Sequence, residues 1–336
     1  MYLIEYLCDY LVMQNGLGCL PLASVVIMNV PRDIKTVLVR CPNWVGDVVM
    51  ATPALDCLRE NFRQAHIVAI ARRNVQKILE GGPWFDDFLT GDDRHWHSFW
   101  VLVREIRQLN PDLTIIMPNS IRSTLPLWLA RAKRRIGYRR GGRGLLLSGG
   151  PEPKRQNGLF LPLPMEDYYL GLCQWLDLPR PAVHKPRLYI PAEVQQRGDA
   201  LLSRYGITPA DRLIGLNPGA SFGSSKCWPV EHFAQTAELL QQQLNAKIIL
   251  FAGPAEHDIA RSIVSLSKAQ IIDTSPDNVD LALLKPLIKR CDVLVTNDTG
   301  PRHYAVAFDV PVVVVMGPTD PRWTASNLEY TIVLRQ

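Results

Sequence analysis

The sequence predicts an α/β protein with two Rossmann-like halves facing a cleft, and three observations carry that expectation. Strand-like runs alternate with segments of helical apolar period, the pattern of a mostly parallel sheet. The alternation occurs twice, on either side of a proline-punctuated stretch. Each half also holds a glycine-centred loop between a strand-like and a helix-like run. These are Trp44-Val45-Gly46-Asp47 in the first half and Asn297-Asp298-Thr299-Gly300-Pro301-Arg302-His303 in the second. Loops at the carboxyl ends of parallel strands meet the positive ends of helices, which is where α/β proteins bind ligands.

The elements follow in order. Lys35 to Arg40 reads as a buried parallel strand because it is β-branched and flanked by polar residues. The loop Cys41 to Asp47 comes next, then a helical period from Val48 to Phe62, and further strands at His66 to Ala71 and Asp112 to Met117. From Gly141 to Pro164 glycine, proline and arginine dominate, which marks a loop. A helical segment from Glu166 to Leu176 leads to the proline-rich stretch from Pro179 to Pro191, where the hinge is placed. The pattern then restarts with strands at Leu213 to Leu216, Lys247 to Phe251, Val293 to Thr296 and Val312 to Met316, and a helix from Pro229 to Leu244. The division is an extension over 1–34, a first domain over 35–190 and a second over 191–336.

With 336 residues and 47% hydrophobic content, the chain is long enough for two cores. The formal charge of +5 does not demand a nucleic-acid partner, although a local basic patch can attract an acidic substrate. Seven cysteines, an odd number without a C-x-x-C pair, point to a reducing, cytoplasmic compartment. Glu5, Asp9 and Pro21 interrupt the apolar N-terminal stretch too early for a membrane span or signal peptide. Tyr2, Leu3, Tyr6, Leu7, Tyr10 and Leu11 recur at helical spacing, so this stretch is either an upstream extension or an amphipathic helix lying on a membrane or partner.

The chemistry lies in the loops. Asn217-Pro218-Gly219-Ala220-Ser221 follows a strand, with Lys226 shortly after, so small residues and a full positive charge stand where an anion can approach backbone N–H groups. Neither a P-loop nor a dinucleotide fingerprint is present, which argues against a nicotinamide oxidoreductase. The Asp298-Thr299-Gly300 loop can hold a diphosphate from the opposite side. Two helix N-termini and one lysine stabilise a departing nucleoside diphosphate without a metal or cofactor. No D-x-D pair, H-E-x-x-H motif or Cys/His cluster of ligand spacing occurs, and His95 and His97 read as surface residues. Asp47 serves either as a helix cap or as a general base that takes a proton from a sugar hydroxyl. Glu256 either accepts a ribose hydroxyl or is a first-turn acid favoured by the helix dipole. Arg135, Arg139, Arg140 and Arg143 belong to a basic stretch that is either a solvated face or a site for phosphate and carboxylate groups.

These residues resemble the ADP-heptose:lipopolysaccharide heptosyltransferases of glycosyltransferase family 9, and within them the heptosyltransferase II group. The resemblance rests on Pro42-Asn43-Trp44-Val45-Gly46-Asp47 with Ala51-Thr52-Pro53-Ala54-Leu55, then Arg135-Ile136-Gly137-Tyr138 with Arg143-Gly144-Leu145-Leu146-Leu147. It continues through Asn217-Pro218-Gly219-Ala220, Lys226-Cys227-Trp228-Pro229, the 296–303 stretch and Gly317-Pro318-Thr319-Asp320-Pro321, in the family's order.

The resemblance implies a GT-B fold, with the acceptor on the first domain and the nucleotide sugar on the second, and an inverting, metal-independent transfer. Asp47 would be the general base, Lys226 would meet the donor phosphates and Glu256 would hold the adenosine ribose. Asp298 would contact donor sugar hydroxyls, and Thr299, Gly300 and His303 would form the phosphate-facing loop. The donor would be ADP-heptose and the acceptor a lipid A-linked inner core, whose acidic groups suit the arginines. The enzyme would sit in the cytoplasm against the inner face of the inner membrane of a Gram-negative cell. The family usually continues beyond the last motif through a cysteine-containing segment and a closing helix, whereas this sequence stops at Gln336, so domain closure and full activity are expected to suffer.

Overall fold

The computed structural model describes residues 33–91, 95–181, 185–219, 227–317, 319–324 and 327–335. Two parallel sheets organise them. The first sheet contains β1 (Thr36–Arg40), β2 (His66–Ala71), β3 (Asp87–Thr90), β4 (Leu113–Ile116) and β5 (Arg135–Ile136), in the order β3-β2-β1-β4-β5. The second contains β8 (Leu213–Asn217), β9 (Lys247–Leu250), β10 (Ile271–Asp273), β11 (Val293–Asn297), β12 (Val312–Met316) and β13 (Thr331–Arg335), in the order β10-β9-β8-β11-β12-β13. Between them in sequence, β6 (Arg155–Gln156) and β7 (Leu159–Phe160) form a small antiparallel hairpin inside the stretch expected to be loop.

Both sheets are ordered from the middle outward. The first strand of each sits centrally, is covered on both faces and is almost wholly buried, which is why these runs read as near-continuous hydrophobic segments. Strand order reverses between β1 and β4 and again between β8 and β11. Crevices open at such reversal points. The loops after β1, β8 and β11 are those singled out from the sequence.

The helices are α1 (Val45–Met50), α2 (Thr52–Asn61), α3 (Arg73–Leu79), α4 (Trp96–Leu109), α5 (Ile121–Leu129) and α6 (Met165–Trp175), followed by α7 (Ala192–Arg204), α8 (Val230–Leu244), α9 (His257–Leu266), α10 (Leu284–Arg290) and α11 (Gly300–Ala307). The single helix expected from Val48 to Phe62 is two helices, the first beginning at Val45. Pro53 lies in the first turn of α2, where its missing N–H costs nothing, and so the break falls at Ala51. On one face of the first sheet, α4 and α5 bury Phe99, Leu102, Val103, Ile106 and Leu127. On the other, α2 packs against α6.

The two sheets are joined by direct contact between α1 and α11. The contact is close because glycines meet it from both sides. A Cβ on Gly300 would stand 2.6 Å from the Val45 Cβ, and one on Gly46 would stand 2.8 Å from the His303 ring. At a second contact between the halves, Lys285 of α10 is fully buried and its ammonium donates to the Glu80 carbonyl at 2.9 Å, at the C-terminus of α3 in the other half. Carbonyls at a helix C-terminus lack intrahelical partners and favour a cation. Burial nevertheless pulls the Lys285 pKa down to about 8. Beside it, Lys77 and Asp280 form an ion pair of 2.8 Å between the same two elements' surroundings.

Candidate active site

A cavity of about 970 Å³ lies between the halves, and Asp47, Glu256, Asp298, Thr299, Gly300 and His303 all line it. Ser221 and Lys226 lie outside the described residues. A cleft of that size has room for a small-molecule ligand.

Asp47 enters from the first turn of α1. The N-cap of that helix is Trp44, and no side-chain capping bond is made there, so the cap role open to Asp47 on sequence grounds falls to a different residue. Asp47 is half-buried in the cleft wall. Burial raises its pKa to about 6, and a hydrogen bond from the Tyr169 hydroxyl of α6 partly offsets the rise. A carboxylate poised near neutrality in a cleft has the character of a general base.

Against the first turn of α1, the N-terminus of α11 lines the same cavity. Thr299 is its N-cap residue in an extended conformation, and its hydroxyl accepts from the Asn217 side chain at 3.1 Å. Asn297 ties the same region together. Its amide donates to the Pro218 carbonyl at 2.6 Å, and its carbonyl oxygen accepts from the Trp228 N–H at 3.0 Å. The loops after β8 and β11 are thus stapled side by side.

Asp298 is held by Arg302, one helical turn on, in an ion pair of 3.0 Å whose side chains are only 9% and 2% exposed. The same guanidinium donates to the Thr324 hydroxyl at 3.0 Å. His303 is buried, and burial together with the Arg302 charge lowers its pKa to about 3. It is therefore a neutral imidazole at any physiological pH, able to donate or accept one hydrogen bond but not to add charge. Glu256 is the N-cap residue of α9, yet its side chain turns away from that helix and accepts from the Gly253 N–H at 2.8 Å. The carboxylate rests against Gly219, where a Cβ would come within 2.0 Å of its Oε1.

Arg135, Arg139, Arg140 and Arg143 of the basic stretch do not line this cavity, and they divide. Arg143 is fully buried. It donates to the Pro118 and Tyr138 carbonyls, to Thr124 and to Asn119, and desolvation lowers its pKa to about 10. Arg135 donates to the carbonyls of Leu146 and Ala132. Both act as internal clips in this arrangement, not as the ligand-facing groups expected of them. Arg139 remains exposed and pairs with Glu152 at 3.2 Å. Arg140 stacks over the Phe160 ring of the hairpin and lines a second cavity of about 490 Å³, which shares Trp323 with the first.

Sequence reasoning gave no role to Tyr169, Arg302 or the two asparagines. Arg302 and the asparagines sat within quoted motifs, so their positions were visible although their partners were not. Tyr169 comes from a helix distant in sequence and carried no local signal.

The family model of glycosyltransferase family 9 (heptosyltransferase) matches residues 99–335. The chain belongs to glycosyltransferase family 9. Among relatives of this family 9 chain, the lipooligosaccharide heptosyltransferase 2 of Haemophilus ducreyi is 28% identical over 313 residues, covering 89% of this chain and 88% of its own length. The lipopolysaccharide heptosyltransferase 2 of Salmonella typhimurium is 27% identical over 304 residues, covering 86% and 84%. Among solved structures, the ADP-heptose LPS heptosyltransferase II of Escherichia coli superposes with a TM-score of 0.74 at 25% identity, over 90% of each chain. A family 9 glycosyltransferase from Veillonella parvula shares the fold, with a TM-score of 0.81 at 24% identity over 92% of this chain and 88% of that one. The architecture is therefore the GT-B arrangement of two Rossmann-like units, as expected.

Proposed function

We propose that this family 9 glycosyltransferase moves heptose from ADP-heptose to the inner core of lipopolysaccharide, in the manner of the heptosyltransferase 2 relatives. The observation that carries the reading is the position of Asp47, a half-buried carboxyl with a pKa near 6 that lines the same cavity as the N-terminus of α11. In this reading residues 35–190 hold the acceptor and residues 191–336 the donor.

Asp47 takes the proton of the acceptor hydroxyl while that oxygen attacks the anomeric carbon of the heptose. The bond from that carbon to the diphosphate breaks, and ADP leaves with the electron pair. In-line attack inverts the anomeric configuration. The N–H groups at Thr299 and Gly300 meet the growing diphosphate charge, which is strongest in the transition state, and Lys226 adds a full positive charge without a metal. Asp298, oriented by Arg302, accepts from heptose hydroxyls, and Glu256 accepts from the adenosine ribose. The acceptor approaches along the second cavity past Arg139 and Arg140. Because that acceptor is lipid-linked, the enzyme works peripherally at the cytoplasmic face of the inner membrane. No helix among the described residues is long and apolar enough to cross a membrane.

The test is transfer from ADP-heptose to two purified acceptors, lipid A bearing only the acidic core sugars and the same molecule already carrying one heptose, read by mass spectrometry. Addition to the second alone is expected. Addition to the first would move the enzyme one step earlier, and addition to neither with ADP still bound would overturn the acceptor assignment.

A further inference from the structure

The outer face of the α4–α5 layer contributes no residue to either cavity and has an unusual composition. The buried side of α4 is apolar, as any amphipathic helix requires, but its outer side begins with Trp96 and Trp100, which are 75% and 43% exposed, and continues with Arg104 and Arg107. Trp96 and Trp100 are in edge-on contact at 5.5 Å between ring centroids, so they form one aromatic patch. On α5, Trp128 is 46% exposed. The Arg107 guanidinium donates to the Leu129 carbonyl at 2.9 Å, which brings the Arg107 end of α4 against the Trp128 end of α5. Arg131, two residues beyond the end of α5, is exposed. Beside α5, the turn Arg143–Leu146 presents Leu145 at 95% exposure. Glu105 is the one acidic residue in the sequence of α4, and that of α5 has none.

We propose that this face docks on an anionic lipid bilayer. Three exposed indoles are more apolar surface than an isolated helical layer needs to show to water. Indole rings settle at the headgroup level of a membrane, with the apolar body inward and the N–H toward water. Arginines in the same plane meet anionic headgroups, each adding attraction that falls away within a Debye length. A fluid bilayer also needs no matching cavity, and neither of the two cavities described above includes these residues. The inference deepens the proposed function and rests on it for the reason a membrane matters, since docking here would hold the enzyme on the surface that carries a lipid-linked acceptor.

The test is co-sedimentation of the full chain with vesicles of phosphatidylcholine alone and of phosphatidylcholine with phosphatidylglycerol. The wild type is expected to partition onto the anionic vesicles and only weakly onto the zwitterionic ones. Arg104→Glu with Arg131→Glu is expected to lower anionic partition about tenfold or more, and Trp96→Ala with Trp100→Ala to lower it on both, with ADP affinity unchanged in each. A second reading avoids truncation: brominated lipid should quench wild-type tryptophan emission more than that of a Trp96→Phe, Trp100→Phe, Trp128→Phe variant. Equal partition of wild type and variants, equal binding to both vesicles, or preference for nucleic acid or an acidic protein over vesicles would each overturn the proposal. Vesicle binding with no heptose transfer would instead count against the enzymatic reading and leave the docking face standing.

Discussion

The Tyr169 hydroxyl donates to the Asp47 carboxylate, linking helix α6 to the loop that opens the cleft. This bond lowers the pKa of Asp47, opposing the larger upward push of burial. Turnover should therefore rise with pH as Asp47 ionises near 6. Tyr169→Phe removes the opposing influence, so the acid limb of the kcat/KM profile is expected to move to higher pH while ADP affinity stays unchanged. A purely structural tyrosine would lower activity without moving that limb.

Asp47→Asn should abolish turnover and leave donor binding nearly intact. It should also stabilise the fold. The folded state holds the Asp47 proton more tightly than the ordinary value of 3.8 allows, so this group's contribution to stability is present at low pH and lost as pH rises toward about 6. At neutral pH the neutral asparagine relieves that penalty, and Tm is expected to rise by about 2 °C or more. An active variant would return Asp47 to a structural role.

Gly300→Ala places a methyl group against Val45 where the halves meet. Overlap at 2.6 Å with another Cβ cannot be relieved by turning a flexible chain end, so the halves must shift apart. We expect kcat/KM to fall at least about a hundredfold, because displacement by about an ångström is enough for that loss. Val45→Gly in the same chain, which removes both the Cβ and the Cγ1 that the new methyl meets, should restore part of it. Equal defects in the single and double variants would show that the two positions do not couple.

Gly219→Ala drives a methyl into the Glu256 carboxylate. ADP binding by calorimetry is expected to weaken about tenfold, as for loss of one charge-assisted hydrogen bond. Glu256→Gln should give a similar loss with no clash. If Gly219→Ala weakens ADP while Glu256→Gln does not, the carboxylate has no part in the donor site.

Arg143 and Arg140 should separate cleanly. Arg143→Ala leaves several buried carbonyl and side-chain acceptors without a donor and should lower stability by roughly 3 kcal/mol, seen in a denaturant melt. Arg140→Ala should leave the melt almost unchanged and raise the acceptor KM. The reverse pattern would return Arg143 to the acceptor surface.

The central strands and the glycine loops were legible because each carries its own local signal, a continuous apolar run or a glycine at a strand-to-helix junction. β3, β5, β10 and β13 were not. Asp87–Thr90 is largely exposed, Arg135–Ile136 has two residues, and Ile271–Asp273 is only half-buried, so pairing with a neighbour, not composition, makes them strands. The same distinction runs through the site. Gly46, Asp47, Asp298 and Gly300 announced themselves, whereas Tyr169 matters only through a partner supplied by the fold. Arg143 misled because a run of basic residues looks alike whether its members face water or donate to buried carbonyls.

Lys285 has a consequence for inheritance. Among the described residues, its ammonium donates to the Ile78 and Glu80 carbonyls at the end of a helix in the opposite half. A chimaera that joined one half of this chain to the other half of a relative would strand that cation unless the matching helix end came with it. The halves resemble two copies of one fold, but they are not interchangeable modules, and recombination between family members would tend to keep them as a couple.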